Sequence, residues 1–289
     1  MQERVYRSGK SLIDQTSKTH VPENAVALWH LGQSGVLVKA NKTICYFDPY
    51  LSNYIEDNNL VEPPGLLKRN FDSPMQPKDI NNANVVFITH DHLDHLDPET
   101  LKGIKKFSPH ANFVCPAPSI YRLTGIGVKE DNIYAAKANK KLKVNGLDVI
   151  PIPAKHEKFC KDKNGNHYYL GYVVYINGIV FFHAGDTLAY TDLVKYLQPL
   201  SVDIACLPIN GQDWRRNEQG AMGNMDFRDA VEISQAAGID LLIPVHYDLF
   251  ESNTENPAYF IDYLYRNYPG QKCKLMVPGE RLLYLSEKG

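Results

Sequence analysis

Cysteine is scarce and poorly arranged for cross-linking: five occur in 289 residues, at positions 45, 115, 160, 206 and 273, with no Cys-x-x-Cys pair. An odd, dispersed set argues against a disulfide framework and a thiolate zinc site, and it fits a reducing compartment. Long apolar runs are missing as well. None approaches the roughly 18 residues of a membrane span, and the opening Met1-Gln2-Glu3-Arg4-Val5-Tyr6-Arg7 lacks the apolar stretch of a secretory signal. Excess charge of one sign is also absent, since 31 Lys and Arg stand against 33 Asp and Glu for a formal charge of -2. Neither a long nucleic acid nor a membrane is therefore expected as a partner. No low-complexity tract or short-period repeat interrupts the chain. What remains, 44% hydrophobic and 22% charged, is the composition of a globular protein. It is expected in the cytoplasm, as one large domain or two ordinary ones.

Residues 1–24 are polar and weakly periodic, an arm or short helix expected to dock on the body. From Ala25 short β-branched and aromatic runs predict strands at 25–29, 35–38 and 43–47. Residues 50–82, with Pro63-Pro64-Gly65, Pro74 and Pro77, read as a long irregular loop of the kind that usually carries function. A strand at 84–89 then leads to a helix over 98–107, with Asp97 as N-cap and Pro98 at the first helical position. Beyond it the pattern predicts a strand at 113–115, a helix near 119–124 and a hairpin turning at Asn145-Gly146. Strands at 168–176 and 179–183 flank Asn177-Gly178, a pair suited to a type I′ turn. A helix at 189–197, a strand at 203–208, a helix at 227–237, a strand at 241–245, a helix at 257–268 and two closing strands follow. Meanders followed by alternating strands and helices, twice over, predict an α/β fold of two packed sheets with helices outside.

Ten histidines are spread unevenly. Three fall in Thr89-His90-Asp91-His92-Leu93-Asp94-His95, between a strand end and the Asp97-capped helix; chance would produce those offsets roughly 1% of the time. A turn leaving the C-terminal end of a strand aims several side chains into one crevice, the convergence imidazoles need around a divalent ion. His90 and His92 can share one ion, while Asp94 and His95 reach a second. More ligands are required, and His156, Asp186 and His246 stand at later strand ends. Each alone is as readily a structural residue; their shared placement makes them a set. All seven donors are nitrogen or oxygen, so Zn²⁺ suits the imidazoles, while the carboxylates also admit Mn²⁺ or iron. His183 and His30 are either groups behind the ligands or buried structural histidines, and His20, His110 and His167 are read as surface residues.

These motifs resemble the metallo-β-lactamase superfamily over roughly residues 25–285. Asp48, in Phe47-Asp48-Pro49, looks like the family's first-motif aspartate, which orients metal ligands. His90, His92, Asp94 and His95 form its His-x-His-x-Asp-His motif, and His156, Asp186 and His246 match the later ones, Asp186 resembling the carboxylate that bridges two ions. The resemblance implies a four-layer αβ/βα sandwich of two mixed sheets with helices outside. It also implies one catalytic domain, 25–289, with a dinuclear centre at one edge of the sheets. Within the superfamily the chain is similar to the L-ascorbate-6-phosphate lactonase branch. His30-Leu31-Gly32-Gln33-Ser34-Gly35, Gly185-Asp186-Thr187, Ile243-Pro244-Val245-His246-Tyr247-Asp248, Asp213-Trp214-Arg215-Arg216 and Gly223-Asn224-Met225 carry that likeness. Loops 50–82 and 155–170, which should shape the pocket, depart from it. The branch resemblance adds weight to Mn²⁺ and implies a homo-oligomer, for which the aromatic helix Tyr259–Tyr265 is either an interface or a core-facing element.

Two ions sharing Asp186 would share a water whose pKa falls from 15.7 toward ~7, giving a bridging hydroxide as nucleophile. Asp94 or a metal-bound water is then the proton donor to the leaving oxygen. Arg215 and Arg216 either clamp a substrate phosphate by forked hydrogen bonds or form a solvated loop pair. The expected function is a metal-dependent hydrolase of a small phosphorylated lactone or ester. A phosphodiesterase for cyclic nucleotides or RNA ends is the rival, and a non-catalytic binding protein of the same fold is the third reading.

Overall fold

A computed structural model describes residues 4–61, 67–218 and 223–286; Met1–Glu3 and the expected Pro63-Pro64-Gly65 turn lie outside the described residues. Its strands are β1 Ala25–Gly32, β2 Gly35–Ala40, β3 Thr43–Phe47, β4 Val85–Phe87, β5 Asn112–Pro116, β6 Ile133–Ala136 and β7 Leu142–Val144. After them come β8 Leu147–Pro153, β9 Leu170–Ile176, β10 Ile179–His183, β11 Ile204–Pro208, β12 Leu241–Val245, β13 Lys272–Cys273 and β14 Arg281–Leu285. They form two seven-stranded sheets, ordered β14-β1-β2-β3-β4-β5-β6 and β13-β12-β11-β10-β9-β8-β7. Both are mixed. Antiparallel hairpins give way to parallel pairing from β3 to β6 in one sheet and from β10 to β13 in the other.

The period of two along each strand builds the layers. In β1, Val26 and Leu28 enter the cluster between the sheets, whereas Ala25, Ala27, Trp29 and Leu31 join the cluster under the helices. In β10, Phe181 and Phe182 divide in the same way. Strands buried on both faces read as continuous apolar runs, which is why β1 is buried at every position. Phe47 stacks on Phe87 at 4.6 Å and meets Phe181 of the opposite sheet at 4.9 Å. Truncating such a residue costs about 3–5 kcal/mol.

Local chemistry sets the connections. Asn145-Gly146 and Asn177-Gly178 all have positive φ, as the hairpins require. Asp97 accepts from the Glu99 amide and caps the helix Pro98–Phe107. It also holds the Ser52 hydroxyl at 2.8 Å and the Ser52 amide at 3.0 Å, fastening the start of loop 50–82 to that helix. The first residues contribute a helix, Gly9–Lys18, whose Leu12 and Ile13 pack under the first sheet. Strand β6, which the hydrophobic pattern does not announce, closes one edge of that sheet. In the helix Pro257–Asn267, Phe260 and Leu264 face the core while Tyr259 and Tyr265 are exposed. No helix among the described residues is long and apolar enough to cross a membrane.

Candidate metal centre

Five strands deliver their C-terminal ends to one edge of the sandwich. Asp48 follows β3, His90 lies three residues beyond β4, His156 three beyond β8, Asp186 three beyond β10, and His246 directly follows β12. Asp48 and His246 adopt positive φ, 42° and 59°, although neither is glycine. Conformations of that kind cost of order 1–3 kcal/mol and cluster where function imposes them. Gly185 (φ 61°) is required on a second count, because a Cβ there would stand 2.7 Å from Thr89.

Asp48 organises the turn at residue 90. Its Oδ1 accepts from the Thr89 amide at 2.8 Å, and its Oδ2 accepts from the Thr89 hydroxyl at 2.6 Å and from His95 Nδ1 at 2.8 Å. That bond fixes the His95 tautomer and turns Nε2 inward, to 3.3 Å from Asp186 Oδ1 and 3.6 Å from Asp94 Oδ2. His246 Nε2 lies 3.3 Å from Asp186 Oδ2 and 3.7 Å from Asp94 Oδ2.

The candidate ligands separate into two groups, His90 with His92 and Asp186, and Asp94 with His95 and His246; within each, the donor atoms lie inside 4.8 Å of one another. The His156 ring is 5.2 Å from that of His92 and 5.8 Å from that of His90, so it adjoins the first group. Asp186 touches both. Buried and without any hydrogen-bond partner are His90 Nε2, His95 Nε2, His156 Nδ1, His246 Nδ1 and Asp186 Oδ1. Leaving one such atom unsatisfied costs about 1–3 kcal/mol, so this concentration at one point fits a set of donors waiting for cations.

Electrostatics distinguish the groups. Burial, reinforced by the neighbouring His95 and His92, pushes His90 well below the ordinary imidazole range, and burial takes His156 down to about 4. Burial also opposes charge on His95 and His246, but Asp186 and Asp94 outweigh it, holding His95 well above the usual range and His246 at about 9. Burial would raise the carboxyl groups of Asp94 and Asp186; His95 and His246 overcome it and keep both below the usual carboxylate range.

Two residues at the centre were not anticipated. Gln33, in the β1–β2 turn, has φ 56° and is buried. Its Nε2 donates to Asp94 Oδ2 at 2.8 Å and lies 3.0 Å from His246 Nε2, while its carbonyl accepts from the His246 amide. Tyr169 packs its ring 5.1 Å from those of His90 and His156, with its hydroxyl 3.4 Å from His92 Nε2. A glutamine between glycines at a strand end was the available signal for the first; for Tyr169 nothing in the sequence marked it.

Other expected residues stand further back. His183 Nε2 donates to the Ser34 carbonyl at 2.8 Å and its Nδ1 accepts from the Gly185 amide, bracing the turns that bear Gln33 and Asp186. His30 pairs with Asp248 at 2.8 Å. His167, read from sequence as a surface residue, is buried, because loop 155–170 folds over it with Phe159 against its ring. His20 and His110 are exposed. All five cysteines are free. Burial raises the thiols of Cys45, Cys115 and Cys206.

The centre opens into a cleft of about 310 Å³ lined by Asp91, His92, Asp94, His156, Asp186 and His246, with Asn253 at its side and Ile55, Leu60, Val61, Leu67, Leu93 and Phe250 as an apolar wall. Arg215 is exposed and is not among these lining residues. Arg216 is tied down, its Nη1 donating to the Asn210 carbonyl at 2.8 Å and to Asn253 Oδ1 at 3.0 Å, and its Nε to Asp213.

Comparison with known proteins adds kinship to this geometry. The family model described as "Beta-lactamase superfamily domain" matches residues 45–247. Among curated proteins, the chain is similar to a UPF0173 metal-dependent hydrolase of Pyrococcus furiosus, 27% identical over 239 residues covering 79% of this chain and 94% of that one. A UPF0173 metal-dependent hydrolase of Thermococcus kodakarensis is 24% identical over 262 residues, covering 87% and 96%. Among solved structures, Igni18, a metallo hydrolase from Ignicoccus hospitalis, superposes with a TM-score of 0.66 at 22% identity, covering 91% of this chain and all of that one (100%). An isothiocyanate hydrolase from Delia radicum gut bacteria gives 0.70 at 16% identity, covering 90% and 100%. At these identities the solved structures speak for the fold alone.

Proposed function

The chain belongs to the metallo-β-lactamase superfamily, and from that premise we propose that it is a metal-dependent hydrolase that holds two divalent ions, Zn²⁺ or Mn²⁺. The observation that carries this reading is the pair of donor groups with Asp186 between them, together with the buried and partnerless His90 Nε2, His95 Nε2 and Asp186 Oδ1. His90, His92 and His156 would hold one ion; Asp94, His95 and His246 the other; Asp186 would serve both. Bound there, divalent ions would supply Lewis-acid polarisation and a water acidic enough to attack at neutral pH.

The chain's own groups account for the rest. Asp48 holds His95 in one tautomer, and His183 braces the Asp186 turn. Asp94 begins as a carboxylate, so it would act first as an acceptor, taking a proton from the attacking water and then passing it to the leaving oxygen. For an ester or lactone the balance is simple: water adds to the acyl carbon, the acyl C–O bond breaks, and the products are an acid and an alcohol. The likeness to the ascorbate-phosphate lactonase branch supports such a substrate, and it favours Mn²⁺ and a homo-oligomer, with Tyr259 and Tyr265 available on an outer face. The phosphodiesterase reading would use the same donors.

The test is metal analysis of protein purified without chelator, followed by hydrolysis assays on lactones, carboxylic esters and phosphodiesters. About two ions per chain with turnover of an ester or lactone is the expected result. Metal-loaded protein inert toward the whole panel would leave the binding-protein reading in its place.

A further inference from the structure

We propose that the cleft takes an uncharged substrate, with an apolar group laid along the wall of Ile55, Leu60, Val61, Leu67 and Leu93 and one oxygen atom held by the Asn253 carboxamide. This rests on the hydrolase reading above and concerns what that site selects.

The wall is built into the fold. Ile55, Phe71, Leu249 and Phe250 form a separate small core with Tyr50, against which Val61, Leu67 and Leu93 pack. Small clusters of this kind commonly underlie long loops, and here the cluster fixes one side of the cleft without help from the main core. Leu60, 44% exposed, stands at its outer end. Lysine and arginine are absent from the lining among the described residues. Among the described residues, Arg122 Nε meets Asp91 Oδ2 at 3.5 Å and Arg216 Nη1 meets Asn253 Oδ1 at 3.0 Å, the latter guanidinium also donating to the Asn210 carbonyl and to Asp213. A phosphate carried away from the metal centre would therefore lie on leucine and isoleucine side chains, with Asp91 as the lining carboxylate outside the two donor groups.

Asn253 is the polar exception to the wall. It is 9% exposed, and its Oδ1 accepts from both Asn210 Nδ2 at 2.9 Å and Arg216 Nη1 at 3.0 Å. With the acceptor end occupied, Asn253 offers the cleft its Nδ2 donors, suited to a carbonyl, ether or hydroxyl oxygen. Arg216 is then a positioning residue that orients Asn253, and the arrangement gives its guanidinium a use other than clamping phosphate.

The experiment compares the metal-loaded full chain on a matched pair of aryl hexanoates, one plain and one with a phosphate at the chain end, and on plain acetate, butanoate and hexanoate esters. The plain hexanoate should win by at least about tenfold in kcat/KM, and kcat/KM should climb by about threefold per methylene along the series. Leu60→Asp should flatten that climb. Arg216→Ala should lower kcat/KM for both hexanoates by the same factor, mainly through KM, as should Asn253→Ala. Preference for the phosphorylated ester, a flat chain-length series, or an Arg216→Ala loss confined to the phosphorylated ester would overturn the inference while leaving the hydrolase reading standing. If no ester is turned over by protein carrying its ions, the inference falls; the hydrolase reading falls with it only when lactones and phosphodiesters are inert as well.

Discussion

The two donor groups sit side by side yet differ in what they hold before any ion arrives. His90 and His156 are held toward the neutral imidazole by burial and by the histidines around them. His95 and His246 are cations, kept so by Asp94, Asp186 and Asp48. The imidazoles of the first group therefore carry no proton to displace, while His95 and His246 are held by ion pairs to Asp94 and to the shared Asp186 and must release protons before they can bind a metal. Similar ligands in the same crevice acquire different loading behaviour from the placement of three carboxylates.

Four measurements would break or sharpen that contrast. Asp186→Asn should have the largest effect, because it weakens both groups together: activity should fall at least about a hundredfold, and metal analysis should find both ions depleted. Loss of one ion alone would mean that Asp186 belongs to a single group. Raising the pH comes second. Below about 9 the His246 proton competes with metal, and so does that of His95, so chelator competition should find the second ion bound up to about a hundredfold tighter per pH unit between 6 and 8. The first ion should change little, since His156 is already neutral above about 4.

Stability should move the other way in metal-free protein. A histidine raised to about 9 contributes stability that is complete below its unfolded value near 6.5 and is lost as pH climbs through the folded one. The melting midpoint should drop by several degrees over that window, and a flat profile would count against the ion pairs.

Asp48→Asn should come third, costing the second ion about 10–100-fold in affinity through the loosened His95, with a smaller loss at the first through Thr89, whose hydroxyl meets His90 Nδ1. Gln33→Ala should come last, a loss of about 10-fold for the second ion, the low end expected for one hydrogen bond to a charged group. Equal losses at both ions would make Gln33 a general fold residue.

Much of this was legible in advance because the signals were local. A histidine run between a strand and a capped helix identifies itself, and the alternation along β1 and β10 reflects burial on both faces. Strand ends were less exact: the strand expected at 84–89 spans Val85–Phe87, and the one expected at 168–176 begins at Leu170. There the chain leaves the ladder to aim ligands, and side-chain type does not register the change. Gln33 escaped because its meaning is tertiary; it depends on a left-handed turn and on partners 61 and 213 positions away. The apolar wall escaped for another reason. Ile55, Leu60, Val61 and Leu67 follow no period, so only the folded loop makes them a surface. Arg216 was legible as a cation but not as one whose hydrogen bonds are already taken.

Strand β14 deserves a last consequence. It lies next to β1 in the first sheet, pairing Ala25 with Leu285 and Trp29 with Arg281, although β13 before it belongs to the second sheet. On the ribosome, domains generally begin folding from the N-terminal end, yet β1 must wait with an open edge until residues 281–285 have been made. An unpaired edge invites association with other chains. The first sheet is thus finished only when residues 281–285 arrive, long after β1 itself, and the turn that carries Gln33 hangs from its unfinished strand until then. Nascent chains stalled before β14 should be the species most prone to aggregate.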